Sequence, residues 1–217
     1  MRGSHRLRPN QAVLRRAAPC IDQIMIHFDD VFPLMTGRVH EVSGPLASSF
    51  AVLAGASARV ASDAEAGVGH VLWVRAGWRS EMIDPPGVAP YMDPALMLVA
   101  QTQAQRETLA VAEEALRDGV FGLVVMELTA PLNLTAGRRL QLAAKQGQAT
   151  GLCIIADGMG SPAAETRWRC TAVAATSQDS TLQKWELNKN KSGTTGAWNV
   201  RWSASAHRLV VVSTASE

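Results

Sequence analysis

Residues 37–54 read GRVHEVSGPLASSFAVLA, a strand, a turn and a helix in sequence. Gly37–Val42 is a short strand, Gly44-Pro45 is a tight turn, and Leu46–Ala61 is an apolar helix with Leu46, Phe50, Leu53 and Ala54 at helical spacing. Strand, Gly-rich turn and helix is the arrangement in which nucleotide hydrolases hold phosphate. The chemistry needs G-x-x-x-x-G-K-[ST]: glycines let backbone N–H groups approach, the lysine reaches the β- and γ-phosphates, and the hydroxyl holds Mg²⁺. Counted from Gly44, the closing positions here are Ser49, Phe50 and Ala51. The second glycine, the lysine and the metal ligand are all missing. The scaffold of a phosphate loop is present and its chemistry is not.

Working outward, Val71–Val74 (VLWV), Leu96–Ala100 (LMLVA), Val120–Met126 (VFGLVVM) and Gly151–Ala156 (GLCIIA) are continuous apolar runs. Such runs suit strands covered on both faces. Between them, Gln103–Arg117 is a helix with Leu109, Ala112 and Leu116 on one face, a Glu113–Arg117 pair and Gly119 as its stop. Asn133 or Thr135 caps a further helix that runs to about Gln146, with Arg138, Arg139 and Lys145 outward. This alternation predicts βαβ units and a parallel central sheet. The character then changes. Arg167–Ala174, Lys184–Asn190, Ala197–Ser203 and His207–Ser213 follow as strands without helices, with Ser192–Gly196 as a hairpin loop, so antiparallel strands extend one side of the sheet. Ala76–Pro94, rich in Gly, Pro and Asp, reads as a long surface loop carrying Trp78, Met82 and Tyr91. Ile21–Met35 packs irregularly before the core.

A chain of 217 residues predicts one domain over 21–217, preceded by a basic arm over 1–20 that is read as poorly ordered or a short helix. With 47% hydrophobic and 18% charged residues, disorder is excluded for the bulk of the chain. No apolar run is long enough for a bilayer, and the N-terminus shows no secretory pattern. Three scattered cysteines, Cys20, Cys153 and Cys170, point to a reducing cytoplasm and to neither disulfides nor a metal motif. The net charge of +2 divides into +5 over 1–20, −8 over 21–133 and +5 over 134–217. Basic ends around an acidic middle suit nucleic acid or an acidic partner, or simply solvated faces.

In order along the chain, GRVHEVSGP, FGLVVMEL, LTAGRRLQLAAKQGQATGLCIIA, SPAAETRWRCTA and KWELNKNKSGTTGAWNVRW resemble the RecA core, and more closely the ImuA family related to RecA and SulA, over residues 33–212. The resemblance implies an α/β, RecA-like, mostly parallel sheet flanked by helices with antiparallel C-terminal strands. It places Glu127 where RecA has its magnesium-linked acid, and Lys189 and Lys191 in the KNK element whose RecA counterparts reach a neighbouring subunit's nucleotide. ImuA proteins act in the bacterial SOS response with ImuB and an error-prone DnaE-type polymerase, with a link to RecA. The role implied is an adaptor or regulator of translesion synthesis; the degenerate loop makes it a non-catalytic one, and the residues themselves predict no cofactor and no metal.

Each candidate residue carries two readings. Gly44, Ser49, Phe50 and Ala51 form either a nucleotide site, reduced without the lysine to weak anion binding by backbone N–H groups, or a structural turn with Phe50 in the core. Glu127 is a metal-linked acid, or a carboxylate solvated or paired with arginine. Lys189 and Lys191 share a face by strand parity and contact a partner's nucleotide, an acidic surface or DNA phosphate; alternatively they protect a hairpin edge. Trp168, Trp185, Trp198 and Trp202 stand among Arg167, Arg169, Lys184 and Arg201, as a stacking surface for single-stranded DNA or as core and interface anchors. Trp198 and Trp202 share one face, with Arg201 on the other. The five histidines show no metal-ligand spacing. Two other functions fit: a nucleotide-dependent DNA-binding protein with an atypical loop, and a SulA-like inhibitor of FtsZ.

Overall fold

The computed structural model describes residues 27–61, 69–174 and 181–214. The basic arm over 1–20 lies outside the described residues. Among the described residues, nine strands form one sheet: β1 Val39–Ser43, β2 Val71–Ala76, β3 Met97–Thr102, β4 Leu123–Glu127, β5 Thr150–Ile154, β6 Thr166–Ala172, β7 Gln183–Asn190, β8 Gly196–Ser203 and β9 Arg208–Thr214. Their order is β3-β2-β4-β5-β1-β6-β7-β8-β9. The pairs from β3 to β6 are parallel, and those from β6 to β9 are antiparallel. The helices are α1 Ala47–Ala61, the single turn α2 Pro85–Val88, α3 Gln105–Asp118 and α4 Leu134–Gly147.

The central strands read as apolar runs because both faces are covered. Side chains alternate across the sheet, so Leu123 and Val125 of β4 pack with α1 while Val124 and Met126 pack with α3 and α4. β3 departs from this pattern. It was expected as a buried strand, but it is an edge of the sheet, and Leu98 and Val99 are 46% and 48% exposed. An apolar run does not distinguish a covered strand from an open edge. The 21–35 stretch also holds more order than expected: over its described part, Phe28 in a short 3-10 turn and Phe32 after it are both core residues.

The helix boundaries follow local chemistry. Asn133 caps α4, its Oδ1 accepting the Ala136 N–H at 2.8 Å. Arg117 binds Glu113 at 2.7 Å one turn back on α3. Gly119 ends α3 at φ +71°, and a Cβ there would sit 2.2 Å from the Gly147 carbonyl oxygen. The C-terminal ends of α3 and α4 therefore touch through their backbones. A Cβ on Gly147 would lie 2.0 Å from the Leu116 oxygen. Replacing a helical glycine with alanine ordinarily gains stability. Here Gly147→Ala is predicted to destabilise by about 1–3 kcal/mol, because the two helix ends must separate. Urea unfolding of the variant measures this, and a stabilising result would show that the close approach is absent.

Candidate functional site

The turn after β1 lies at the C-terminal end of the sheet's central strand. Ser43 ends β1 and α1 begins at Ala47, so only Gly44, Pro45 and Leu46 connect them. Gly44 takes φ +94°, and a Cβ there would fall 2.4 Å from the Cys170 carbonyl oxygen of β6. Leu46 N–H donates to that same oxygen at 3.3 Å, Ala47 N–H to Gly44 at 3.2 Å and Phe50 N–H to Leu46 at 2.9 Å. These amides are directed inward at protein carbonyls. Ser49, Phe50 and Ala51, which a phosphate loop would use as its second glycine, lysine and metal ligand, already belong to α1.

Phe50, at the lysine's position, is fully buried. Its ring centroid is 4.4 Å from Trp185, 5.7 Å from Trp168 and 6.0 Å from Phe32. Phe28 extends the cluster to Trp198 at 5.5 Å. Ser49 Oγ accepts a hydrogen bond from Gln183 Nε2 at 2.8 Å, and Gln183 Oε1 accepts from Trp185 Nε1 at 2.9 Å. Ala51 is buried beside them. The loop positions are thus joined to β6 and β7 by packing and hydrogen bonds. The tryptophans at 168, 185, 198 and 202 are all buried, which gives them the core role rather than a surface for stacking bases. Trp198 and Trp202 do share the inner face of β8, and Arg201 is exposed on the other.

Beneath the turn, the buried polar side chains of β1 include His40 and Glu41, each joined to β6. Thr166 Oγ1 lies 2.7 Å from His40 Nδ1 and accepts from Trp168 Nε1 at 2.9 Å, while His40 Nε2 lies 3.1 Å from the Met35 carbonyl oxygen. Nε2 must donate to that carbonyl, so a neutral ring leaves Nδ1 to accept from Thr166. Glu41, 1% exposed, accepts from Arg167 Nε and from Ser161 N–H, each at 2.8 Å. The ion pair joins β1 to β6 on the face opposite α1. Charged residues inside an apolar strand are the signal that could have found it.

Glu127 ends β4 and is buried. Trp73 Nε1 donates to Oε1 at 2.8 Å; Arg75 Nη2 and Arg79 Nε approach Oε2 at 3.5 and 3.4 Å. This is the arginine-paired reading of Glu127, with two cations rather than one. Arg75 follows VLWV directly within β2 and Arg79 lies four residues further on, and their position there was the available clue.

Lys189 and Lys191 lie together at the β7–β8 hairpin, though strand parity alone does not bring them there. The β6–β7 register shifts between Arg167 and Trp168, so Lys189 pairs with Arg167 while Leu187 pairs with Trp168. This turns Lys189 away from the core face of Trp185 and Leu187. Lys189 Nζ donates to the Pro162 carbonyl at 2.9 Å and to that of Ala164. Desolvation, followed by the nearby Arg167 and Lys191 charges, holds its ammonium below the ordinary lysine range. Lys191 lies just beyond the strand, 43% exposed, with Nζ 3.5 Å from Glu165, which also binds Arg38 at 3.3 Å. Among the described residues, no group of three His, Cys, Asp or Glu side chains is placed to hold a metal ion, and no helix is long and apolar enough to cross a membrane.

The crystal structure of the RadB recombinase matches with a TM-score of 0.57 at 15% identity, over 81% of this chain and 90% of that one. The class is therefore an α/β protein of RecA-like fold, with a mostly parallel sheet and antiparallel C-terminal strands. No protein-family model matches the sequence, and no curated protein matches it.

Two outcomes follow. Phe50→Ala is predicted to cost about 3–5 kcal/mol in chemical denaturation, as expected for emptying an aromatic core site; a near-neutral result would mean the ring is not packed. Burial lowers the His40 pKa from 6.5 to about 4. The unfolded chain then binds the extra proton across that window and the folded chain does not, so stability is full above about pH 6.5 and declines as pH falls towards 4. Between pH 7 and 5 the loss from this group is predicted at about 2 kcal/mol. Unfolding titrations at both pH values should show the loss in the natural chain and a smaller one in His40→Gln.

Proposed function

We propose that this chain is a non-catalytic RecA-like adaptor or regulator in SOS-induced error-prone translesion DNA synthesis, acting in the cytoplasm with ImuB and a DnaE-type polymerase. The observation that carries the non-catalytic part is the burial of Phe50 where phosphoryl transfer requires a lysine. The two residues beside it, Ser49 and Ala51, are also committed to the packing of α1. Glu127 is turned to Trp73, Arg75 and Arg79. The choice of pathway and partners rests on the resemblance of the sequence to ImuA proteins.

Partner contact is assigned to the exposed side of the C-terminal strands, around Lys191 and Arg201, with RecA as a further partner and DNA contact at most weak. Lys189 supports this surface from below by fixing the hairpin to residues 162–165.

Thermal unfolding with ATP and Mg²⁺ tests the first part. A ligand that binds only the folded state adds about 2.7 kcal/mol at a hundredfold excess over its dissociation constant. No shift is expected at millimolar ATP, and a Mg²⁺-dependent shift lost in Glu127→Ala would replace this reading with a nucleotide-dependent one. Co-purification with ImuB and the polymerase tests the second part. Retention by the natural chain, weakened by Lys191→Glu, is the expected result; no retention would remove the partner assignment.

A further inference from the structure

We propose that the cleft at the C-terminal ends of β2 and β3 binds a small monocarboxylate carried on an apolar body. The cleft encloses about 420 Å³ and opens beside the edge strand. That volume falls within the usual range for small-molecule sites. Arg75 and Arg79 form its polar end, and Met82, Ile83 and Val99 its apolar walls.

The polar end is built but incompletely satisfied. The Arg75 side chain is only 7% exposed. Both guanidinium groups lie within ion-pair distance of Glu127 Oε2, yet neither is aligned with it as a hydrogen bond. Arg75 Nε, Arg79 Nε and Glu127 Oε2 are all buried without hydrogen-bond partners. Unpaired buried N–H groups are costly, and these two belong to the arginines that line the cleft, so an acceptor entering it has donors to engage. The Arg79 guanidinium carbon also lies 5.8 Å from the Trp78 ring centroid, within cation–π range.

Charge selects the acceptor. Two arginines share one buried carboxylate, which leaves one positive charge. Glu81 also lines the cleft, but it is exposed, where solvent and salt screen it. One residual charge matches a carboxylate, whose two oxygens suit guanidinium N–H groups. A phosphate monoester carries a charge of about −1.5 to −2 at neutral pH and would be undercompensated. The apolar walls favour a hydrocarbon body behind the carboxylate. Gln101, at the rim on β3, offers an amide to a further polar group.

This inference concerns neither the turn after β1 nor the C-terminal hairpin; it shares Arg75 and Arg79 with the Glu127 cluster, and its hexanoate readout is separate from the ATP and partner tests of the adaptor reading. Hexanoate titrated into the nitrogen-labelled full-length protein tests it, with the Arg75 and Arg79 Nε–H resonances followed by NMR. Both should shift and saturate at millimolar hexanoate, while hexanol and hexylammonium leave them in place and inorganic phosphate binds more weakly. Arg79→Gln should weaken binding by about tenfold or more. Val99→Asp, at an exposed edge position, should do the same by placing a like charge on the apolar wall, and it decides the matter if the first variant fails to fold. The proposal is overturned by no saturable shift, by equal shifts with hexanol, by tighter binding of phosphate, or by unchanged affinity in the folded variants.

Discussion

The packing of the Phe50 ring against Trp185 and Trp168 is the contact on which the rest of the structure depends. It joins the start of α1 to β6 and β7, and so joins the parallel half of the sheet to its antiparallel extension. It also takes the position that a phosphate-binding lysine would occupy. An ammonium there would lie among aromatic rings with few polar partners, at a large desolvation cost. Stability and nucleotide chemistry make opposing demands on this one position, and the residue present meets the first.

The surrounding polar groups follow from that choice. With α1 beginning early, Ser49 comes within reach of Gln183, which satisfies the Trp185 indole. His40, Thr166 and Trp168 complete a second chain beneath the same rings. Buried indole and imidazole nitrogens need partners, and these links supply them while fixing β1 against β6. The Glu41–Arg167 pair performs the equivalent task on the opposite face. At the far side of the parallel half, Arg75 and Arg79 are not so fully matched, which sets the β2–β3 cleft apart from these satisfied networks.

Much of the fold was legible in the sequence because its signals are local. Apolar runs gave the central strands, Asn133 and Gly119 gave helix ends, and the spacing between them gave the βαβ connections. The hairpin strands were equally clear from alternation, including the inward Trp198 and Trp202. What escaped depends on contacts between distant residues. The edge position of β3 is set by the order of strands, which the composition of LMLVA does not encode. The core role of Phe28 and Phe32 arises from packing on Trp185 and Trp198. The bulge that turns Lys189 towards residues 162–165 comes from an extra residue between paired strands. At the candidate site, the missing lysine was visible at once, whereas the joining of two arginines to Glu127 required the strand ends to be placed side by side.

The turn after β1 is a closed structural element rather than a phosphate loop. Hydrogen exchange of the backbone amides of Leu46, Ala47 and Phe50, with and without ATP and Mg²⁺, tests it most directly. These amides are expected to exchange as slowly as those of the central strands, at rates that nucleotide leaves unchanged. Fast exchange that becomes slow only with ATP and Mg²⁺ would show an open loop that closes on phosphate, and would contradict it.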